Sequence, residues 1–278
     1  MATIVGAVTT SHVPAIGKAI AQGLQQEPYW KPWFDGFPPV QRWLDEVKPD
    51  VAVVFFNDHG LNFFLDKMPT FAVGAAPQYQ NADEGWGIPT LAPFDGDLDL
   101  SWHIINEVIR RDFDLVTCQE MLVDHAFMLP LKMLWPGEKC PVRTVPVCIN
   151  TVQFPLPSAK RCWALGAAVG DAIRSWESDA RVLLIGTGGL SHQLDGERAG
   201  FINKAFDLKF LESLVADPTW ATQYSIEELV ELTGTQGVEL VMWLATRAAL
   251  GSKAKRVHQN YHIPISNTAA GLLALEAA

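Results

Sequence analysis

The chain has 278 residues, of which 49% are hydrophobic and 19% charged, so it can bury a large core and is not disordered. Its formal net charge of -10 at pH 7 repels phosphate backbones and disfavours nucleic acid as a partner. No apolar run is long enough for a membrane span, and the N-terminus lacks the features of a signal peptide. Four scattered cysteines without a C-x-x-C pair favour reduced thiols, and we expect a cytoplasmic protein.

Short apolar, β-branched segments alternate with helical patterns along the chain, as is typical of α/β layers. The predicted strands are residues 3–9, 51–56, 71–74, 114–118, 142–149 and 181–185. The predicted helices are residues 100–111, 127–134, a helix that Ser158 caps and that extends to about Trp176, 200–215, 226–231 and 237–250. From residue 263 we expect irregular structure or a strand, followed by a helix rich in Ala and Leu. The pattern predicts an α/β fold, a single three-layer α/β/α catalytic domain over residues 1–278 with a central mixed sheet.

Two further features concern the surface. Residues 75–93 are rich in Pro, Gly and Asp and are predicted to form a functional loop or a lid. The chain also contains 10 Trp and 14 Phe. These aromatics either pack in the core, which the composition favours, or cover a partner or a lid, with Trp30, Trp33 and Trp43 as candidates.

Four of the seven histidines follow predicted strands, and they are His12, His59, His125 and His192. Because ligand sites in α/β sheets form outside the carboxyl ends of strands, these imidazoles could converge in one cleft if their strands run parallel. One such histidine alone is more often a surface or hydrogen-bonding residue, but four in this register favour a shared site. His103 is expected to be structural and His258 to be solvated, while His262 is ambiguous.

Several familiar sites are disfavoured by the motifs. No cysteine pairs accompany the histidines, which argues against structural zinc, and there is no H-E-x-x-H or G-x-S-x-G. The glycine-rich residues 186–189 match neither a Walker A nor a dinucleotide motif, so we expect them to allow a sharp turn and a close approach to a ligand. A serine hydrolase with Ser191 beside His192 is weak, because neighbours in sequence do not form a triad.

A carboxylate would complete a site of two histidines and one carboxylate, which suits nonheme iron(II). The candidates are Asp58, Asp83, Glu84, Asp124 and Glu239. Glu239 differs from the others because Val238, Leu240 and Val241 surround it, and a carboxylate in an apolar setting needs a partner or a metal. Its position in the first turn of a predicted helix is equally consistent with a favourable interaction with the helix dipole. The residues alone leave both interpretations open.

Seven segments carry a resemblance to a known family: TSHVPA at 10–15, NDH at 57–59, ADEGWG at 82–87, VDH at 123–125, GTGGLSHQ at 186–193, GVELVMW at 237–243 and SNTA at 266–269. Together they resemble the protocatechuate 4,5-dioxygenase β-chain family, the class III (LigB-type) extradiol dioxygenases. The match covers nearly the whole chain in order. In one departure from the family, Ala126 replaces a glycine that often follows the histidine matching His125.

The resemblance implies specific roles at the site. Iron(II), Fe(2+), would be held by His12, His59 and Glu239, and His192 would act as the catalytic acid and base. His125 would lie beside the ligands or the substrate. Ser266 and Asn267 match a segment near the substrate carboxylate.

The resemblance also implies a reaction and a partner. The reaction is extradiol cleavage of a carboxylated catechol by O2 in the catabolism of lignin-derived aromatics, with protocatechuate giving 4-carboxy-2-hydroxymuconate semialdehyde. Gallate and 3-O-methylgallate are alternative substrates, and a non-catalytic, metal-binding interaction protein is an alternative of another class. Because the chain ends soon after residues 266–269, a separate small helical α subunit in an α2β2-like assembly is expected to cover the site.

Overall fold

The computed structural model describes residues 1–278 except Trp86, Pro89 and Ser252, and it does not describe the side chain of Pro264. The strands are β1 (Thr3–Thr10), β2 (Val51–Phe56), β3 (Phe71–Gly74), β4 (Gln78–Asn81), β5 (Phe94–Asp95), β6 (Val116–Cys118), β7 (Leu122–Val123), β8 (Arg143–Ile149), β9 (Arg181–Thr187), β10 (Ala254–Ile265) and β11 (Thr268–Ala277). The α-helices are α1 (Pro14–Ala21), α2 (Lys31–Phe34), α3 (Phe37–Val47), α4 (Leu98–Ile109), α5 (His125–Leu134), α6 (Ala159–Ser175), α7 (Lys204–Ala216), α8 (Ile226–Thr233) and α9 (Leu240–Leu250). Short 3₁₀ turns cover Trp220–Gln223 and Gly237–Glu239.

The large sheet is mixed and has the strand order β10-β11-β1-β9-β2-β8-β3-β6 within the described residues. Strands β1, β9, β2 and β8 are parallel neighbours at its centre. Strand β3 pairs antiparallel with β8, and β11 pairs antiparallel with β1. Strands β4, β5 and β7 form a smaller sheet. The carboxyl ends of the four central strands therefore lie at one edge of the large sheet.

Strand β2 shows why helices cover both faces of this sheet. Val53 and Phe55 pack into one hydrophobic cluster with residues of α4, α6 and α9. Val54 and Phe56 pack into a second cluster with residues of α1, α3 and α5. Successive side chains of a strand point to opposite faces, so an apolar run of this kind requires cover on both sides. The predicted three-layer α/β/α arrangement is confirmed.

Close packing of α6 against α9 depends on two glycines. A Cβ atom at Gly166 would lie 2.0 Å from the carbonyl oxygen of Ala245, and one at Gly170 would lie 2.2 Å from that of Ala249. No larger residue fits without moving the helices apart. This contact fixes α9, and therefore the turn that precedes it, over the sheet.

The C-terminal segment corrects the predicted Ala/Leu-rich helix, because residues 268–277 form strand β11. Ala and Leu favour helices in isolation, but the preference is weak and tertiary packing overrides it. Leu273 packs into one hydrophobic cluster and Leu272 into the other, between β10 and β1. The prediction also missed α1, α3 and most of β10.

Two candidate partner-binding aromatics belong to the core instead. Trp33 is fully buried and Trp43 retains 7% exposure, so neither offers a surface to a partner. Trp30 is half-buried and packs against the hydrophobic cluster that contains Trp33 and Trp43. The composition-based expectation of a bulky core is confirmed for these side chains. No helix among the described residues has the length and apolarity needed to cross a membrane.

Candidate active site

Three of the four singled-out histidines follow parallel strands of the large sheet. His12 follows β1, His59 follows β2 and His192 follows β9. The fourth, His125, begins α5 directly after β7 of the smaller sheet. Strand β6, which was expected to lead to it, pairs parallel with β3 and so runs opposite to the central strands. The four imidazoles lie close together, although His125 follows a strand of the smaller sheet and not of the large one.

Glu239 lies at the centre of the converging side chains. Its Oε2 atom is 3.3 Å from Nε2 of His12 and 4.0 Å from Nε2 of His192, and its Oε1 atom is 3.5 Å from Nε2 of His59. The backbone N–H of Gly189 donates to Oε2 at 2.6 Å, and the Asn57 side chain donates to Oε1 at 3.3 Å. The carboxylate is therefore held by the protein and faces three imidazoles.

The glycines of residues 186–189 make room for these side chains. A Cβ atom at Gly188 would lie 2.9 Å from the Cβ of Glu239, and one at Gly189 would lie 2.2 Å from Cε1 of His192. The close approach of this backbone to a ligand stays a prediction, and the groups that the structure places against it are the protein's own site residues. Any larger side chain would displace Glu239 or His192.

The histidine rings pack directly on one another. The rings of His59 and His125 are stacked with centroids 4.2 Å apart, and His12 meets them edge-on at 5.2 and 5.4 Å. Ligand atoms of His12, His59 and His125 lie within 4.8 Å of one another, close enough to hold one metal ion. Geometry alone thus offers Glu239 and His125 as the third ligand beside His12 and His59.

Every one of the four imidazoles has its Nδ1 atom engaged away from the centre. Nδ1 of His12 is 3.2 Å from the Thr187 hydroxyl, and Nδ1 of His192 is 2.9 Å from the Leu190 carbonyl oxygen. The other two Nδ1 atoms face carboxylates: that of His59 lies 2.9 Å from Asp124 and that of His125 lies 2.6 Å from Glu84. These contacts orient the rings and leave Nε2 as the nitrogen available to the site.

Burial and the carboxylates oppose each other in setting the charge of the cluster. Burial lowers the pKa of His12, because its charged form loses hydration, and Glu239 offsets this only in part. Burial also acts to lower the pKa of His59, but Asp124 and Glu239 outweigh it and raise that pKa to about 10. Burial opposes ionisation of Glu239, yet His12 and the other imidazoles hold its pKa well below its usual range. Asp124 and Glu239 therefore favour positive charge at His59, whereas burial disfavours it at His12.

The remaining candidates occupy different surroundings. Ser266 and Asn267 form the exposed turn between β10 and β11, and the next residue, Thr268, is bridged to His192. Asp58 binds the backbone N–H groups of residues 60–63 and so shapes the loop after His59. Asp83 is exposed. Trp86 of the ADEGWG segment lies outside the described residues.

Sequence reasoning missed the partners of the histidines. Asp124 and Glu84 were considered as ligands, whereas each accepts a hydrogen bond at the Nδ1 side of a histidine. Thr187 and Asn57 were not singled out. One signal could have identified Asp124 as a structural partner. It lies directly before a helix, where its side chain also accepts from the N–H of Ala126 as a cap.

The fold and the site define a class: α/β/α proteins with a buried, carboxylate-centred histidine cluster at the carboxyl edge of parallel strands. Within that class the chain belongs to the family described as the catalytic LigB subunit of aromatic ring-opening dioxygenase, whose model matches residues 6–272. The resemblance seen in the sequence is confirmed for the family. The named relatives are gallate and dihydroxyphenylpropionate enzymes rather than protocatechuate 4,5-dioxygenase.

The chain is 39% identical to gallate dioxygenase of Pseudomonas putida over 69% of this chain and 57% of that protein. It is 37% identical to a 2,3-dihydroxyphenylpropionate/2,3-dihydroxicinnamic acid 1,2-dioxygenase of Rhodococcus over 56% of this chain and 48% of that protein. The chain thus spans about half the length of these curated relatives. The crystal structure of an uncharacterized Escherichia coli K12 protein matches 97% of the chain and 99% of that protein at 12% identity, with a TM-score of 0.56, and supports the fold alone.

Proposed function

We propose that this chain is a single catalytic domain that cleaves a carboxylated catechol by O2 in the extradiol manner, with iron(II) held by His12, His59 and Glu239. The observation that carries the proposal is the position of the Glu239 carboxylate, whose oxygens lie 3.3 Å from Nε2 of His12 and 3.5 Å from Nε2 of His59. Two imidazoles and a carboxylate form the donor set of nonheme iron(II) oxygenases. His125 is the weaker third ligand, because a set of three histidines lacks the carboxylate typical of those sites.

The donor residues fit the metal on electrostatic grounds as well. The Glu239 side chain is 6% exposed and its nearest titratable neighbours are the imidazoles of His12 and His59, so a divalent cation would neutralise a buried negative charge. When bound, iron(II) supplies the redox chemistry and a common point of attachment for both oxygens of a catechol. His59 keeps 28% of its side-chain exposure, whereas His12 keeps 4%. Substrate is therefore expected to enter from the His59 side.

His192 is suited to move a proton at the substrate. The Leu190 carbonyl oxygen can only accept a hydrogen bond, so Nδ1 of His192 carries the hydrogen and Nε2 of the neutral ring has a free lone pair. That nitrogen can take a proton from a phenolic hydroxyl and return it later in the reaction. In this account His192 orients and deprotonates the catechol beside the metal. The presence of His192 beside the proposed ligands also argues against a non-catalytic protein that only binds a metal.

Protocatechuate is the first candidate substrate. The turn of Ser266 and Asn267, which precedes the bridge between Thr268 and His192, is the proposed contact for its carboxylate. Gallate is the second candidate, favoured by the 39% identity to a gallate dioxygenase. The test is anaerobic reconstitution with iron(II), followed by oxygen uptake on protocatechuate, gallate and 3-O-methylgallate. The largest kcat/KM identifies the substrate, and no uptake with any catechol would refute the proposed function.

A separate small helical α subunit in the cytoplasm is part of the proposal. A site that activates oxygen works best when it is shielded from bulk water. Phe64 and Leu65, in the loop after His59, are 58% and 77% exposed and give that side of the chain an apolar surface. We expect weak activity of this chain alone and a gain when the subunit is added. Co-purification from the native host with mass measurement tests this, and a fully active assembly of this chain alone would contradict it.

A further inference from the structure

Glu84 reaches the site from the segment between the two short strands β4 and β5. Its Oε1 atom accepts from the backbone N–H of His125 at 2.6 Å, and its Oε2 atom lies 2.6 Å from Nδ1 of the same residue. The side chains of Glu84 and His125 are 8% and 6% exposed. We propose that Glu84 is a positioning residue that fixes the tautomer and orientation of His125. The proposal rests on the proposed function for its effect on turnover.

The two contacts together determine where the ring hydrogen lies. A carboxylate only accepts hydrogen bonds, so with one oxygen on the backbone N–H the other oxygen requires a hydrogen on Nδ1. Neutral His125 then has no hydrogen on Nε2. Because Nδ1 is engaged with Glu84, Nε2 is the nitrogen left to face His59 and His12. The ring centroids of these two residues lie 4.2 and 5.4 Å from that of His125. His125 thereby offers a hydrogen-bond acceptor to a catechol hydroxyl.

An amide in place of the carboxylate cannot satisfy both contacts. If the oxygen of a Gln side chain accepts from the backbone N–H of His125, its NH₂ group faces Nδ1, which must then accept. The hydrogen moves to Nε2, and His125 presents a donor instead of an acceptor. If the amide is turned over, its NH₂ group meets the backbone N–H of His125 at a buried position, and this contact between two donors is unfavourable. Glu84→Gln therefore changes the site although the side chain keeps its size.

Asp83 supplies a matched control one residue away. Its carboxylate is exposed and accepts from the N–H of Gly85 at 3.1 Å, without contact to a site histidine. Asp83→Asn makes the same chemical change in the same segment. A general effect of removing a negative charge from this segment would appear in both variants, whereas an effect through His125 would appear only in Glu84→Gln.

The first measurement is the tautomer of His125 in metal-free protein labelled with ¹⁵N-histidine, read from two-bond ¹H–¹⁵N spectra. The His125 signals are assigned by their loss in His125→Phe. We expect a protonated Nδ1 and an unprotonated Nε2 in the unaltered protein and in Asp83→Asn, and the reverse in Glu84→Gln. A protonated Nε2 in the unaltered protein overturns the proposal without depending on how any variant folds.

The second measurement is steady-state oxygen uptake by the iron-loaded protein with its best catechol. Loss of the partner that orients such a histidine typically costs about 10–100-fold in activity, so we expect kcat to fall by about that factor in Glu84→Gln with KM nearly unchanged. An unchanged kcat, or a fall in Asp83→Asn as well, overturns the role in turnover. Absence of uptake in the unaltered protein refutes the proposed function instead and leaves the tautomer result standing.

Discussion

The two halves of the active site hold their histidines by different means. His12 and His192 have neutral partners at Nδ1, the Thr187 hydroxyl and the Leu190 carbonyl. His59 and His125 have carboxylate partners, Asp124 and Glu84. Both kinds of contact orient a ring, but only a carboxylate also strengthens its basicity and stabilises positive charge. Each half contributes one proposed iron ligand, His12 or His59, and one histidine proposed to face the catechol, His192 or His125. The halves therefore differ in the partner that holds the ring and not in the proposed roles of their histidines.

The largest effect is expected where the two halves meet, at Glu239 and the imidazoles beside it. His12→Ala, His59→Ala and Glu239→Ala should each reduce iron binding and abolish oxygen consumption, because each removes a proposed donor from a site of three. Iron content and oxygen uptake of purified protein are the measurements. His103→Ala is the control, since His103 bonds Ala172 and Ser175 outside the site. Stoichiometric iron and full activity in Glu239→Ala would make His125 the better candidate for the third ligand.

The next effect separates proton transfer from metal binding in the neutral half. His192→Phe should retain iron and lose about 10²–10⁴-fold in kcat, the usual contribution of a general acid or base. Phe keeps an aromatic ring at this position but has no nitrogen lone pair that can accept a proton. Iron analysis and oxygen uptake on the same sample measure both quantities. Loss of iron from a fully folded His192→Phe protein would make His192 a ligand rather than a proton carrier.

A smaller effect tests whether charge at Nδ1 matters. Asp124→Asn should weaken iron binding by about 10–100-fold, because the partner of His59, a proposed iron ligand, loses its charge. Thr187→Val removes the neutral partner of His12 and should weaken binding less. Anaerobic iron(II) titration of the two variants gives the comparison. Thermal melts check that Asp124→Asn, whose side chain can still accept from the N–H of Ala126, retains the helix cap. Equal losses in both variants would contradict the distinction between the halves.

The smallest effect concerns the support beneath His192. The Tyr261 hydroxyl donates to Asp207 at 2.8 Å, and Asp207 accepts from the N–H and the hydroxyl of Ser191, next to His192. Tyr261→Phe should lower the free energy of unfolding by about 1–3 kcal/mol, because a buried carboxylate loses one donor. Urea unfolding measures this against Tyr224→Phe, whose hydroxyl makes no hydrogen bond to the described residues. Equal stability of the two variants would show that the network contributes little.

The sequence was sufficient for the central strands and the histidines that follow them, because both are local. Residues 51–56 are a continuous apolar run, which is typical of a strand buried on both faces, and His59 lies three residues beyond it. The C-terminal hairpin could not be predicted in the same way. Its Ala and Leu residues favour a helix locally, and only pairing with β1, more than 250 residues earlier in the chain, makes them a strand.

The partners of the histidines were hidden for a similar reason. Glu84 lies 41 residues before His125 in the chain, and Asp124 lies 65 residues after His59. Glu84 and Asp124 lie in segments that carry the family resemblance, but neither contact can be read from sequence spacing, because its two residues are far apart in the chain. The metal-ligand roles of His12, His59 and Glu239 came from the family resemblance, and the geometry now gives them a physical reason that remains to be tested.

The most direct test of the central claim is one anaerobic reconstitution with iron(II), performed on the unaltered protein and on Glu239→Ala. After removal of free metal, iron per chain and oxygen uptake with protocatechuate and gallate are measured on the same samples. We predict one iron per chain and catechol-dependent uptake in the unaltered protein, and loss of both in Glu239→Ala. Tight iron binding and full oxygen uptake in Glu239→Ala would contradict the proposed iron site.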